Sequence, residues 1–413
     1  MKTTDTALLG HVSTESLSAA ALSDLWTMCT GVMIQGRVLG ILVGGAVGAG
    51  NPKLAGIYLQ VSYAVISVVS IVVIISWNLT EKVWIAFGGD ANISEMAGYY
   101  ASVLSTSIPG QLLFSQLSQF FSAQRIMHPE ANSSTFALIC NLVFGLIFVL
   151  GIPFPNFEGY GFIACPWVTA IIVYAQLLLF WYVYLHKQKL HAPSWDGWSL
   201  EEITWPRIKT FSHLYFPAAL GSASDFWRMA AIGAVAANLG EEEVAIFNTS
   251  YRIMWIVLVM VSALAGASGI NMSMRLGKMD PDGARQAGHV GIGMSIVVCV
   301  LIGLAVWTKI ETFGRIFTND DEFLLLFAES RTSFCFTLVL MNISVALEKI
   351  PYSMGRTQEV FWYGLVASWG GQVPAVVLLT KYWRNDLIGL YTGMALGYAL
   401  LTVLYGIIAF SSD

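Results

Sequence analysis

The sequence predicts an all-α polytopic membrane protein with about eleven transmembrane helices. Three observations carry that expectation. Of 413 residues, 56% are hydrophobic and only 11% are charged, against about 25% charged in soluble proteins, and the mean hydropathy is +0.66. Apolar stretches recur along the chain at the length of about 20 residues that a helix needs to cross a bilayer. The two halves of the chain also repeat one another.

The apolar runs are 16–48, 53–77, 96–121, 132–152, 160–185, 211–239, 243–274, 286–308, 322–348, 358–380 and 387–410. The breaks carry turn chemistry: GAGNPK, FGGDAN, MHPEANSS, FPNFEG, KMDPDG and RNDLIG. One break is longer. Residues 186–206 are polar and tryptophan-rich, and Ser199 with Glu202 has the spacing of a capping box that opens a short interfacial helix. That segment is read as a cytoplasmic linker between an N-terminal bundle, 1–185, and a C-terminal bundle, 207–413.

The repeat is visible at four separated places. Val47–Pro52 mirrors Leu276–Pro281, Ser122–Arg125 mirrors Ser353–Arg356, Gly161 mirrors Gly389, and Trp26 mirrors Trp255. The offsets are 229, 231, 228 and 229. Such internal repeats are common in secondary transporters. The counterpart of the run 211–239 falls mostly upstream of Met1, with only MKTTDTALLG present. The repeat therefore predicts a twelve-helix plan lacking most of its first helix, as a truncated gene model would. With the loops after residues 48, 121, 185, 274 and 348 taken as cytoplasmic, they hold ten Lys and Arg against five opposite. This bias places the linker and the C-terminus on the cytoplasmic side. A plasma membrane and a vacuolar-type membrane suit the sequence equally.

The net charge of −5 is spread over short loops and predicts no nucleic-acid partner. The five cysteines all lie in apolar segments, with no disulfide or zinc pattern. There is no HExxH, GxSxG or Walker A motif. No enzyme, cofactor or ATP-driven pump is expected, which leaves a gradient-driven transporter, read as a monomer. Such a transporter needs ionisable groups within the membrane, and these are few. The run 211–239 carries Pro217, Asp225 and Arg228. A charge at the bilayer centre costs roughly 2.5–3.5 kcal/mol, so it should face a cavity or a partner. Asp225 and Arg228 share a helical face. Two readings stand: a salt bridge that lets the helix insert, or an ion-exchanging carboxylate tuned by its arginine. Arg252 is placed to partner either group or to snorkel. Glu348, beside Lys349, is expected nearer an interface. Arg37 is a candidate for an anion or carbonyl contact. The many aromatic and methionine side chains suit a broad apolar cavity for an amphipathic small molecule.

Several of these segments together resemble the multidrug and toxin extrusion (MATE) family of cation-coupled antiporters. Thr4–His11 with Leu17–Leu22 resembles the family's first-helix end, and Gly48–Asn51 the turn after its second helix. Pro217, Asp225 and Trp227 resemble the seventh-helix pattern. Met274–Gly277 and Met354–Gln358 resemble two further family turns. The resemblance implies two six-helix bundles, pseudo-symmetric about a central cleft, and export of amphipathic organic compounds in exchange for protons or sodium. It assigns ion coupling to Asp5, a cavity position to Asn141, and the seventh-helix carboxylate to Asp225. The chain departs from the pattern at Ala230, at Arg252 (where the family has a glutamate) and at Met341 or Asn342, which take the place of a tenth-helix acid. Two other readings are a lipid-linked oligosaccharide flippase, with Arg37, Arg228, Arg252 and Arg331 as its basic groups, and a non-transporting remnant.

Overall fold

The computed structural model describes residues 1–36, 38–154, 156–315 and 321–411. Arg37 lies outside the described residues. The chain divides into two compact units, Met1–Val47 with Asn51–Ser212, and Gly48–Gly50 with His213 onward.

The first unit contains α1 (Lys2–Gly10), α2 (Thr14–Gly31), α3 (Leu39–Gly48), α4 (Pro52–Asn78), α5 (Thr80–Ala86), α6 (Ala91–Ser105), α7 (Ile108–Ser122), α8 (His128–Leu150) and α9 (Ala164–Phe180), the last continued by a π-helical turn, Trp181–Lys187. Helix starts follow local chemistry. Ser13 opens α2 by accepting from the Ser16 amide at 3.0 Å, and Asp90 opens α6 from Ile93 at 3.0 Å. Such side chains satisfy donors that the first turn leaves bare. The short α1 packs against α2, α8 and α9, and Lys2 ties it to α2 through Asp24 at 2.9 Å and Thr27 at 3.0 Å.

The second unit is built from α10 (Trp205–Ala237, whose part from His213 onward belongs to it), α11 (Glu241–Gly277), α12 (Pro281–Thr308), α13 (Ile310–Gly314), α14 (Asp321–Glu329), α15 (Arg331–Ser353), α16 (Thr357–Leu365), α17 (Val373–Tyr382) and α18 (Leu387–Phe410). Between α16 and α17 the helix runs as a π-turn, Val366–Gln372. α15 packs on α11, α12 and α18. α18 lies tightly along α17 and the π-turn. A Cβ added at Gly393 would sit 2.5 Å from the Val376 backbone, and one at Gly397 would sit 2.2 Å from Gln372. With Gly389 these glycines form a stripe of three at four-residue spacing, the small-residue pattern that lets membrane helices approach closely.

The sequence repeat reappears as repeated local geometry. Asn51 caps α4 at φ −115°, ψ 74°, and Asp280 caps α12 at φ −109°, ψ 79°. A proline follows each, where its missing N–H costs nothing. The residue before each cap is left-handed: Gly50 at φ 75° and Met279 at φ 58°. The turns after α7 and α15 share a left-handed residue as well, Arg125 at φ 63° and Gly355 at φ 80°, one position out of register with the sequence match of Arg125 to Arg356.

Among the described residues, nine helical stretches are long and apolar enough to cross a membrane. The two other apolar runs are helical too. The run 96–121 divides into α6 and α7 at Thr106–Ser107, because Pro109 lacks the N–H that would continue the ladder. The hydroxyls of Thr106 and Ser107 each donate at 2.7 Å to carbonyls of the preceding turn. The run 211–239 falls in α10 as far as Ala237; that helix is 33 residues long but diluted by charged and hydroxyl side chains. Aliphatic side chains point outward along whole helices, Val68, Ile71, Val72 and Ile75 on α4 and Val297, Leu301 and Leu304 on α12. Helices that satisfy their own backbone can present such faces to lipid. The chain is an integral multi-pass membrane protein.

Candidate functional site

Each unit carries an ionisable site of its own. In the first, Asp5 sits in the middle of α1, only 2% exposed. Three helices aim neutral groups at it. Thr169 of α9 donates to Oδ2 at 2.7 Å, Asn141 of α8 donates to Oδ1 at 3.3 Å, and Tyr100 of α6 donates to Oδ2 at 3.4 Å. Asn141 also donates to Thr169 at 3.0 Å, and the Tyr100 phenol lies 3.9 Å from the Cys165 sulfur. The carboxylate is thus held by a hydroxyl, an amide and a phenol, none of them charged. Oδ1 of Asn141 is buried and, among the described residues, has no partner.

The second site lies on α10. Asp225 and Arg228 are one turn apart and pair at 3.1 Å, Nη2 to Oδ1. Their exposures differ sharply: the Arg228 side chain is 6% exposed and that of Asp225 59%. Arg228 also donates from Nη1 to Ser368 at 2.7 Å and from Nη2 to Tyr398 at 3.5 Å. Its guanidinium lies 5.2 Å from the centre of the Tyr398 ring, a cation–π distance. Ser368 belongs to the π-turn, and the neighbouring Trp369 donates to Ser224 of α10 at 2.8 Å. Asp225 and Arg228 open onto a cavity of about 100 Å³, which Trp255, Tyr405 and Glu348 help to line.

The structure therefore brings together some of the residues expected from sequence and separates others. Asp5 meets Asn141. Asp225 meets Arg228, and Glu348, expected nearer an interface, shares their cavity. Arg252 is exposed and outside the cavity wall, although Tyr251, Met254 and Trp255 beside it on α11 belong to that wall. Arg331 is exposed and lies over Trp307 at 5.2 Å. Sequence reasoning missed Tyr100, Thr169, Ser368 and Tyr398. The only signal for them is a polar group inside an apolar helix, which many residues here share.

The MatE family model matches residues 1–147 and 217–377. The chain belongs to the multidrug and toxin extrusion (MATE) family. It is 21% identical to Protein DETOXIFICATION 8 of Arabidopsis thaliana over 98% of this chain and 83% of that one. It is 22% identical to the human multidrug and toxin extrusion protein 1 over 94% of this chain and 64% of that one. In fold it is similar to the eukaryotic MATE transporter AtDTX14, with a TM-score of 0.89, 19% identity, and coverage of 100% and 91%. An outward-facing multidrug resistance MATE transporter gives 0.85 at 16% identity, covering 99% of this chain and 90% of that one. The fold is thus that of MATE transporters, and the two sites described above sit within it.

Proposed function

We propose that the chain is a secondary active transporter. It exports amphipathic organic compounds, with the apolar and aromatic cavity beside Asp225 receiving the substrate and Asp5 coupling export to an ion gradient. The observation that carries the reading is Asp5, a buried carboxylate held, among the described residues, by three neutral donors. Ionisable groups within membrane helices are costly and serve ion pathways or proton relays. Among the described residues no charged side chain bonds to Asp5, so it takes up or gives up a proton without stranding a second charge. This favours proton exchange.

Sodium exchange has one specific observation on its side. Asn141 turns its Nδ2 toward the oxygens of Asp5 and Thr169, and a turn of that amide would present instead its Oδ1, buried and unpartnered among the described residues, so that a small cation would then meet three oxygen ligands. The flippase reading has less support, because the cavity holds one arginine against two carboxylates.

The test uses protein reconstituted in liposomes under an imposed proton gradient or, separately, an imposed sodium gradient. Uptake of an amphipathic cation such as ethidium under the proton gradient, lost in Asp5→Asn, supports proton exchange. Uptake under sodium alone supports the second reading. No uptake under either gradient rejects both.

A further inference from the structure

We propose that Arg228 is a tethered cation that occupies the seat of an incoming one, and so sets how strongly a cationic substrate must bind. The inference rests on the cavity beside Asp225 being the substrate's seat. Helical spacing puts the guanidinium one turn from the carboxylate, but the pairing is a single contact, Nη2 to Oδ1 at 3.1 Å. The two-pronged fork that makes arginine–carboxylate pairs strong is not used. Among the described residues, Nε is buried without a partner.

The two groups also face differently. Asp225 is open at the cavity mouth, whereas Arg228 is buried against the wall, where Ser368 and Tyr398 already hold it. These hosts are neutral, so a soluble cation can take Asp225 while Arg228 stays in place on Ser368 and the Tyr398 face. Nothing buried has to leave. Glu348 of the lining pairs with Lys349 at 4.0 Å, which leaves Asp225, the more exposed of the two carboxylates, as the one an incoming cation reaches. A cation that binds a carboxylate no better than a guanidinium already does gains little by entering. Arg228 is therefore a specificity-determining residue that discriminates by strength of ion pairing. The π-turn carrying Ser368 holds Arg228 in the place it keeps once Asp225 is taken.

The experiment titrates purified full-length protein with choline and with its neutral isostere, 3,3-dimethylbutan-1-ol, by calorimetry. Arg228→Gln is expected to tighten choline binding about tenfold, an increment that about 1.4 kcal/mol supplies, and to leave the alcohol unchanged. Ser368→Ala removes the neutral host that keeps Arg228 in place, with a minimal change of shape, and is expected to weaken choline binding. It keeps the test sharp if Arg228→Gln fails to fold. Choline binding that Arg228→Gln leaves unchanged or weakens overturns the proposal while the cavity reading stands. So does choline binding that Ser368→Ala leaves unchanged. Choline binding to none of the proteins overturns the cavity reading and the proposal with it.

Discussion

Thr169 donates the shortest of the three hydrogen bonds that Asp5 receives, at 2.7 Å, and hydrogen bonds to charged groups are worth about 1.5–3 kcal/mol. Thr169→Val keeps the shape and removes the hydroxyl. Initial rates of ion-driven uptake in liposomes are expected to fall roughly tenfold, since about 1.4 kcal/mol corresponds to one decade, and Thr169→Ser is expected to restore them. Asp225→Asn is expected to abolish uptake, because the cavity loses its exposed carboxylate. Uptake that survives, with only a lower yield of folded protein, would make the Asp225–Arg228 pair a device for inserting α10. Asp225 and Arg228 were legible in the sequence because charged groups inside apolar runs are rare enough to stand out, whereas Asp5 and Asn141 were legible only through the family resemblance. Tyr100 and Thr169 were not. Tyrosines and threonines are frequent in membrane helices, and nothing local marks the one whose hydroxyl meets a carboxylate on another helix. The pairing of Asp225 with Arg228 was legible from their spacing alone. The burial of the arginine depends on the π-turn and α18, so it and the contrasting exposure of the aspartate were not.

At the scale of elements, the glycine stripe on α18 makes the firmest claim. Gly393→Val would drive a side chain into the Val376 backbone, which cannot yield as a flexible side-chain tip can. Overpacking of this kind typically costs about 1–3 kcal/mol. The expected outcome is a lower unfolding temperature in detergent, read by tryptophan fluorescence, with Gly393→Ala milder. Helix starts at Asn51 and Asp280 were legible because each cap is a single polar residue followed by proline. The division of the run 96–121 was less so, since proline is tolerated inside membrane helices and the apolar pattern continues across Thr106 and Ser107. The π-turn at Val366–Gln372 left no trace in the hydrophobic pattern. One extra residue per turn shifts which side chains face inward without changing composition. That shift brings Ser368 to Arg228 and Trp369 to Ser224, so the least legible element supports the second site.

For the molecule as a whole, hydropathy and repetition are enough to specify the fold class. Long-range placement decides which of the candidate groups meet. The repeat also distributes a backbone constraint unevenly. Where the chain turns into α4 it has Gly50, and at the matching turn into α12 it has Met279 in the same left-handed conformation. The reverse holds for Arg125 and Gly355. Each half thus keeps a glycine where the other half carries a side chain, and either half can serve as a template for repairing the other. Met279 is the better target, because its side chain is 88% exposed and its removal forfeits almost no packing. A left-handed residue with a Cβ carries a strain of roughly 1–2 kcal/mol, part of which glycine returns as lost chain entropy. Met279→Gly is therefore expected to raise the melting temperature in detergent slightly with transport unchanged. It would provide a sturdier preparation for purification and reconstitution, borrowed from the protein's own other half.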